Sequence, residues 1–140
     1  MDIEKFLEQG KRLRIKPRGY SMYPLIVPGR DEVFVERVSP ESLRRGDVVL
    51  YRRRDENILV LHRIWKRKGD AFFLVGDNQK VIEGPLEASQ IKGKMTGILR
   101  NGHEISTSNV IYLLYSRIWL WLRPCRSQIS RVIHKIRRRC

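Results

Sequence analysis

At 140 residues the chain has the length of one domain and leaves little room for a second independent core. Apolar residues make up 41% and charged residues 31%, a globular balance that excludes a disordered chain. Lys plus Arg is 29 against 15 Asp plus Glu, and the resulting charge of +14 points to an anionic partner, either nucleic acid or an anionic membrane face.

In chain order, residues 2–9 read as a short helix with Asp2 at its N-terminus and Gly10 as its stop. Leu13 and Ile15 alternate with basic residues, so 11–18 reads as a strand with one wet face. Residues 19–29 hold two prolines and two glycines and read as loop. Alternation predicts a strand over 32–38, a short turn or helix follows from Ser39 to Gly46, and 47–54 is the next strand. A turn at 55–57 leads to a strongly β-like stretch at 58–66, which returns through Lys68-Gly69-Asp70 into 71–75. Residues 76–90 read as loop. A strand over 91–100 turns at Asn101-Gly102, a strong hairpin signal, and comes back over 103–107. Many short strands at close spacing predict a mainly β domain over 1–107, with a core of barrel or sandwich type.

From Ser108 the period changes, and 108–140 reads as a helical tail. Val110, Leu113, Leu114, Ile118, Leu120, Trp121 and Leu122 fit a helix that is apolar over most of its circumference and ends at Arg123-Pro124. Ile129, Val132, Ile133 and Ile136 then recur at steps of three and four among basic residues, the pattern of a basic amphipathic helix. Residues 117–140 carry eight basic side chains and no acid, more than half of the net charge.

Three short motifs carry chemistry. In Gly19-Tyr20-Ser21-Met22-Tyr23-Pro24 a serine sits where a loop tip can expose its hydroxyl, with backbone N–H groups of Gly19 to Met22 able to face a developing oxyanion. The structural alternative is a turn serine beside a buried methionine. In Leu61-His62-Arg63 the histidine is in phase with Ile58, Val60 and Ile64, opposite Leu61, Arg63 and Trp65. It is either a satisfied core histidine or a general base, since an imidazole pKa near ~6.5 suits proton transfer around neutrality. Gly76-Asp77-Asn78 is either a turn or a carboxylate delivered beside that imidazole by the 58–75 hairpin. His103 and His134 are rival bases with no acid at a useful spacing. No cluster of His and acidic residues reads as a metal site, two cysteines (Cys125 and Cys140) exclude a disulfide framework, and no cofactor is expected.

In this order, with Gly46-Asp47-Val48-Val49 between them, the serine, His-Arg and Gly-Asp-Asn boxes resemble the type I signal peptidases and the self-cleaving domains of phage and SOS repressors. The resemblance covers roughly residues 13 to 100. Histidine in place of the lysine base of most bacterial members is similar to the archaeal and endoplasmic-reticulum branch. The resemblance implies a signal-peptidase-like or repressor-protease-like β fold, with Ser21 as nucleophile, His62 as base and Asp77 as its support. It also implies differences. Gly19 stands where many signal peptidases have a hydroxyl oxyanion donor, Glu83 is the nearest acid to where a second aspartate often follows, and no membrane anchor precedes the serine box.

The expected activity is that of a serine endopeptidase acting on a protein or peptide, such as a leader sequence. The expected place is the cytoplasmic membrane face. The charged start has no apolar run of signal-peptide length, and no stretch reaches the ~18 to 20 apolar residues that span a bilayer. Tyr112, Tyr115, Trp119 and Trp121 followed by arginines have the composition of a segment lying on an anionic membrane surface. A helix packed on the β core is the plainer reading of the same residues. The other class of function is a non-catalytic module on the same fold, binding membrane or nucleic acid. Nucleic acid is the weaker partner, because no nucleic-acid-binding motif is present.

Overall fold

The computed structural model describes residues 2–56, 58–122 and 126–139. Its elements are α1 (Ile3–Glu8), β1 (Leu13–Ile15), β2 (Asp31–Glu36), β3 (Val48–Arg52), β4 (Leu59–Lys68), β5 (Ala71–Val75), β6 (Glu83–Glu87), β7 (Ile91–Arg100), β8 (His103–Ser106), α2 (Val110–Trp121) and α3 (Arg126–Arg139). Asn57 of the expected turn, the Arg123-Pro124 helix stop, Cys125 and Cys140 lie outside the described residues.

All the strand pairs are antiparallel, in the order β1-β2-β7-β3-β4-β5-β6, with β8 on β7. The two hairpins read from turn residues are present. Lys68 pairs with Ala71, and Arg100 with His103 across Asn101 (φ +52) and Gly102 (φ +76), the left-handed pair that a tight hairpin needs. The end strands β1 and β6 do not pair with each other, so the sheet is open and the expected barrel-type core is corrected. Closure requires two edges that can pair along their length. Here one edge has three residues and the other contains Gly84-Pro85. β6 is itself a correction, since 76–90 reads as loop. Pro85 has no N–H for a ladder, and such a strand is stable only as an edge, here against β5.

Register shifts in β2, β3, β4 and β5 bend the sheet, and it buries apolar side chains on both faces. Leu7, Met22, Ile26, Val33, Leu50 and Met95 belong to one cluster; Tyr51, Ile64, Phe72, Leu74 and Leu86 belong to the other. β4 feeds both, because successive side chains alternate. Leu59 and Leu61 join the first cluster, while Val60 and Ile64 join the second. His62, between Val60 and Ile64, therefore faces the second cluster.

α2 resolves the two readings of its sequence by having two faces. Tyr112, Ser116, Trp119 and Leu120 are buried against the sheet, whereas Val110, Ile111, Leu114, Ile118 and Trp121 are exposed on the other side. Asn109 caps it by accepting the Ile111 N–H at 2.8 Å. The boundary at residue 107 is thus a change of secondary structure, and α2 lies on the β body. Among the described residues no helix is long and apolar enough to cross a membrane.

Candidate active site

Ser21 lies in the loop from Pro17 to Arg30 that joins β1 to β2. Met22, Tyr23 and Ile26 are buried, which draws this polar loop onto the core. The Tyr23 N–H donates to the Tyr20 carbonyl at 3.1 Å and the Ile26 N–H to the Met22 carbonyl at 3.0 Å, winding the loop into successive turns. Its far end is pinned by buried Asp31, which accepts the Val27 N–H at 2.9 Å and Arg100 Nε at 2.7 Å. Burial works to raise the Asp31 carboxyl, but hydrogen bonds from Arg30, Arg100 and Val27 hold it below the usual carboxylate range.

The half-buried Ser21 touches the Gly-Asp-Asn loop through its backbone. Its carbonyl accepts the Asn78 N–H at 2.8 Å. A Cβ on Gly76 would stand 2.6 Å from that carbonyl oxygen, so only glycine lets the two loops close to this distance. Arg63 pairs with Val75 and Ile64 with Leu74 across β4 and β5, and Gly76 follows Val75 at the end of β5. The serine loop therefore meets the Gly-Asp-Asn loop that follows β5, backbone against backbone.

His62 is 2% exposed. Its Nδ1 lies 3.0 Å from the Tyr51 hydroxyl, and the Tyr51 hydroxyl donates to Glu83 Oε2. Glu83 Oε2 is 4.0 Å from His62 Nδ1, and Arg53 donates to Glu83 through Nε at 2.8 Å and Nη2 at 3.2 Å. Burial pushes the His62 imidazole down to about 4; Glu83 and Asp77 oppose the shift and Arg53 reinforces it. Burial also works to raise Glu83, yet Arg53 and Tyr51 hold it below the ordinary glutamate range. The Tyr51 hydroxyl is pushed well above its ordinary value by burial and by Glu83, so it stays protonated.

Asp77 is fully buried, and its direct partner is the arginine that follows the histidine. Arg63 donates through Nε to Oδ1 at 2.8 Å and through Nη2 to Oδ2 at 2.9 Å, a two-pronged pair. Arg63 Nη1 donates to the Gly46 carbonyl at 2.8 Å and to Ser116 Oγ of α2 at 2.7 Å. Trp119 Nε1 donates to the Asp77 carbonyl at 2.9 Å. Burial works against the Arg63 charge, and Asp77 more than offsets it. The expected contact between Asp77 and the imidazole is replaced by this pair. Asp77 acts on His62 only through its field, and the carboxylate reaching the ring by hydrogen bonds is that of Glu83.

Gly19 has φ +75, a backbone angle that a residue with a Cβ adopts at a cost of ~1 to 2 kcal/mol. A hydroxyl residue at this position would be strained even though the space around it is open. Met22 is in the core, as the structural alternative for the serine turn expects. Among the described residues the N–H groups of Ser21 and Met22 have no hydrogen-bond partner. Ser21 lines a cavity of about 420 Å³ with mostly apolar walls that include Ile15, Met22, Leu50, Leu59 and Leu61. His62 and Glu83 line another of about 800 Å³. His103 is exposed at the start of β8; His134 is exposed on α3, its ring 5.8 Å from that of Tyr23. Among the described residues no group of His, Cys, Asp or Glu is arranged to hold a metal.

The motif reading singles out Ser21, His62 and Asp77 and notes Glu83 as the nearest further acid, but not Tyr51 or Arg53. The Arg63 partnership has a faint signal in the adjacency of His62 and Arg63. Tyr51 has none, and its meeting with Glu83 depends on strand register. No protein-family model matches this sequence, and no curated protein is significantly similar to it.

Proposed function

We propose that the chain is a serine endopeptidase of signal-peptidase-like type, on a variant of that β fold with an open sheet. The observation that supports the reading is the close contact of the Ser21 loop with Gly76 and Asn78, in the loop that continues β5, the strand paired with the one that carries the buried His62. A serine hydroxyl needs a base to become a nucleophile, and a neutral imidazole can accept its proton at physiological pH. Ser21 Oγ attacks the peptide carbonyl while its proton passes to His62. The unspent N–H groups of Ser21 and Met22 receive the oxyanion, and His62 returns the proton to the leaving amine. Water then enters through the same base and releases the acyl group. The apolar cavity beside Ser21 fits an apolar side chain of a peptide substrate such as a leader sequence.

The same reading places the enzyme on an anionic membrane face, as the cytoplasmic leaflet provides. Its support is the bare apolar side of α2 together with the exposed cations of α3. The competing class, a non-catalytic membrane- or nucleic-acid-binding module, predicts an unreactive serine. A fluorophosphonate probe separates the two. The wild type should be labelled at Ser21, Ser21→Ala should not, and His62→Ala should label roughly 10²- to 10⁴-fold more slowly, the usual contribution of a positioned base. Absence of labelling in the wild type, or equal labelling of Ser21→Ala, leaves the binding module.

A further inference from the structure

We propose that Tyr51 and Glu83 are positioning residues for His62, a two-part relay that fixes the imidazole as its Nδ1–H tautomer and leaves Nε2 free to take the Ser21 proton. The catalytic part of this inference rests on the peptidase reading; the tautomer does not.

The argument counts protons. A tyrosine hydroxyl has one proton to donate, and an ionised carboxylate can only accept. The Tyr51 proton points to Glu83, which Arg53 holds ionised through two hydrogen bonds. The Tyr51 oxygen then has only lone pairs to offer its other neighbour. Nδ1, 3.0 Å away, must carry a proton for that contact to be a hydrogen bond. A neutral ring with Nδ1–H has its remaining lone pair on Nε2. Tyr51 is fully buried on β3, and Glu83 comes from the edge strand β6, so two separate strands fix the ring.

The relay also explains how one site keeps the base neutral at rest and steadies it when charged. The charged groups that act on the ring are Glu83, Arg53 and Asp77, and Asp77 is spent on Arg63. With tyrosine interposed, the Glu83 oxygen stays 4.0 Å from Nδ1, and burial prevails in the resting ring. When the Ser21 proton arrives on Nε2, the ring carries two N–H bonds and a full positive charge. Nδ1–H then donates more strongly to Tyr51, and Tyr51 to Glu83. No proton needs to leave Nδ1 or Tyr51, and the charge is balanced across the hydrogen bonds. An aspartate bonded straight to the ring serves the same purpose in a Ser-His-Asp site.

The test is long-range ¹H–¹⁵N spectroscopy of the histidine rings in the full ¹⁵N-labelled chain at pH 7, with fluorophosphonate labelling on the same samples. The wild type should show His62 with Nδ1 protonated and Nε2 bare. Tyr51→Phe keeps the ring and its packing but removes the acceptor. It should move His62 toward the Nε2–H tautomer and slow labelling at least about tenfold, part of what a positioned base contributes. Glu83→Gln should lower the His62 pKa further and also slow labelling. A wild-type ring protonated at Nε2 overturns the proposal, as does a Tyr51→Phe protein whose tautomer and labelling rate match the wild type. If the tautomer responds as stated but the wild type is not labelled, the relay stands and the peptidase reading fails.

Discussion

Burial, more than any neighbouring charge, sets the protonation of His62. The residue type alone places its titration near ~6.5, with a carboxylate raising it and an apolar face lowering it. In the structure the lowering prevails, and burial pushes the imidazole down to about 4. Turnover should therefore be flat between pH 6 and 8 and fall only as the pH approaches 4. The same shift enters stability. Between about 4 and ~6.5 the unfolded chain binds a proton at this position and the folded chain does not, so folding weakens as the pH falls through that window. With 1.36 kcal/mol per unit, the contribution is about 3 kcal/mol, fully present above ~6.5 and lost by about 4. Urea midpoints of the wild type and of His62→Gln, followed from pH 7 to 4, should converge by this amount. Parallel curves would show that His62 titrates normally and that its burial is not maintained in solution.

At the scale of elements, α2 joins the site to the β body. It covers the Arg63–Asp77 pair, supplying Ser116 to the guanidinium and Trp119 to the Asp77 carbonyl. Breaking one side of such a buried pair leaves a charge without its partner and costs ~3 to 5 kcal/mol. Asp77→Asn should thus lose roughly that much stability in chemical denaturation, because an amide cannot receive both prongs of the arginine. From the motif alone the expectation is reduced turnover with substrate affinity nearly intact. A stability within about 1 kcal/mol of wild type would return Asp77 to that role, since an exposed pair is worth no more. The contrast shows what was legible. Alternation and turn residues revealed α1, both hairpins and the helical tail, because those signals are local. β6 stayed hidden since Gly84 and Pro85 break the strand pattern, and its pairing depends on β5. The boxes singled out Ser21, His62 and Asp77 as candidates. The partnerships Arg63–Asp77 and Tyr51–Glu83 join residues 14 and 32 positions apart, and only the sheet register brings them together.

Over the whole molecule, charge and apolar surface are not evenly spread. Arg131, Lys135, Arg137 and Arg138 are exposed on α3, beside exposed Val132 and Ile136. On α2, Val110, Ile111, Leu114, Ile118 and Trp121 form one uncovered stripe, with Arg117 also exposed. A surface of this kind pairs apolar burial with attraction to anionic headgroups, where each nearby cation contributes about 1 kcal/mol. The full chain should co-sediment with vesicles containing phosphatidylserine and much less with neutral phosphatidylcholine vesicles. Replacing Arg137 and Arg138 by Gln removes about 2 kcal/mol, or roughly a 30-fold drop in partitioning at low salt. Trp121→Ser should weaken binding to both kinds of vesicle, because it removes apolar burial and leaves the charge. Raising the salt shortens the reach of charges below the ~8 Å of physiological ionic strength, so it should release the wild type and weaken the Arg137/Arg138 double variant by a smaller factor. Equal binding to anionic and neutral vesicles would eliminate the electrostatic contribution. A wild type that binds neither would leave the bare face of α2 without a membrane partner, while the Ser21 site would keep its own test.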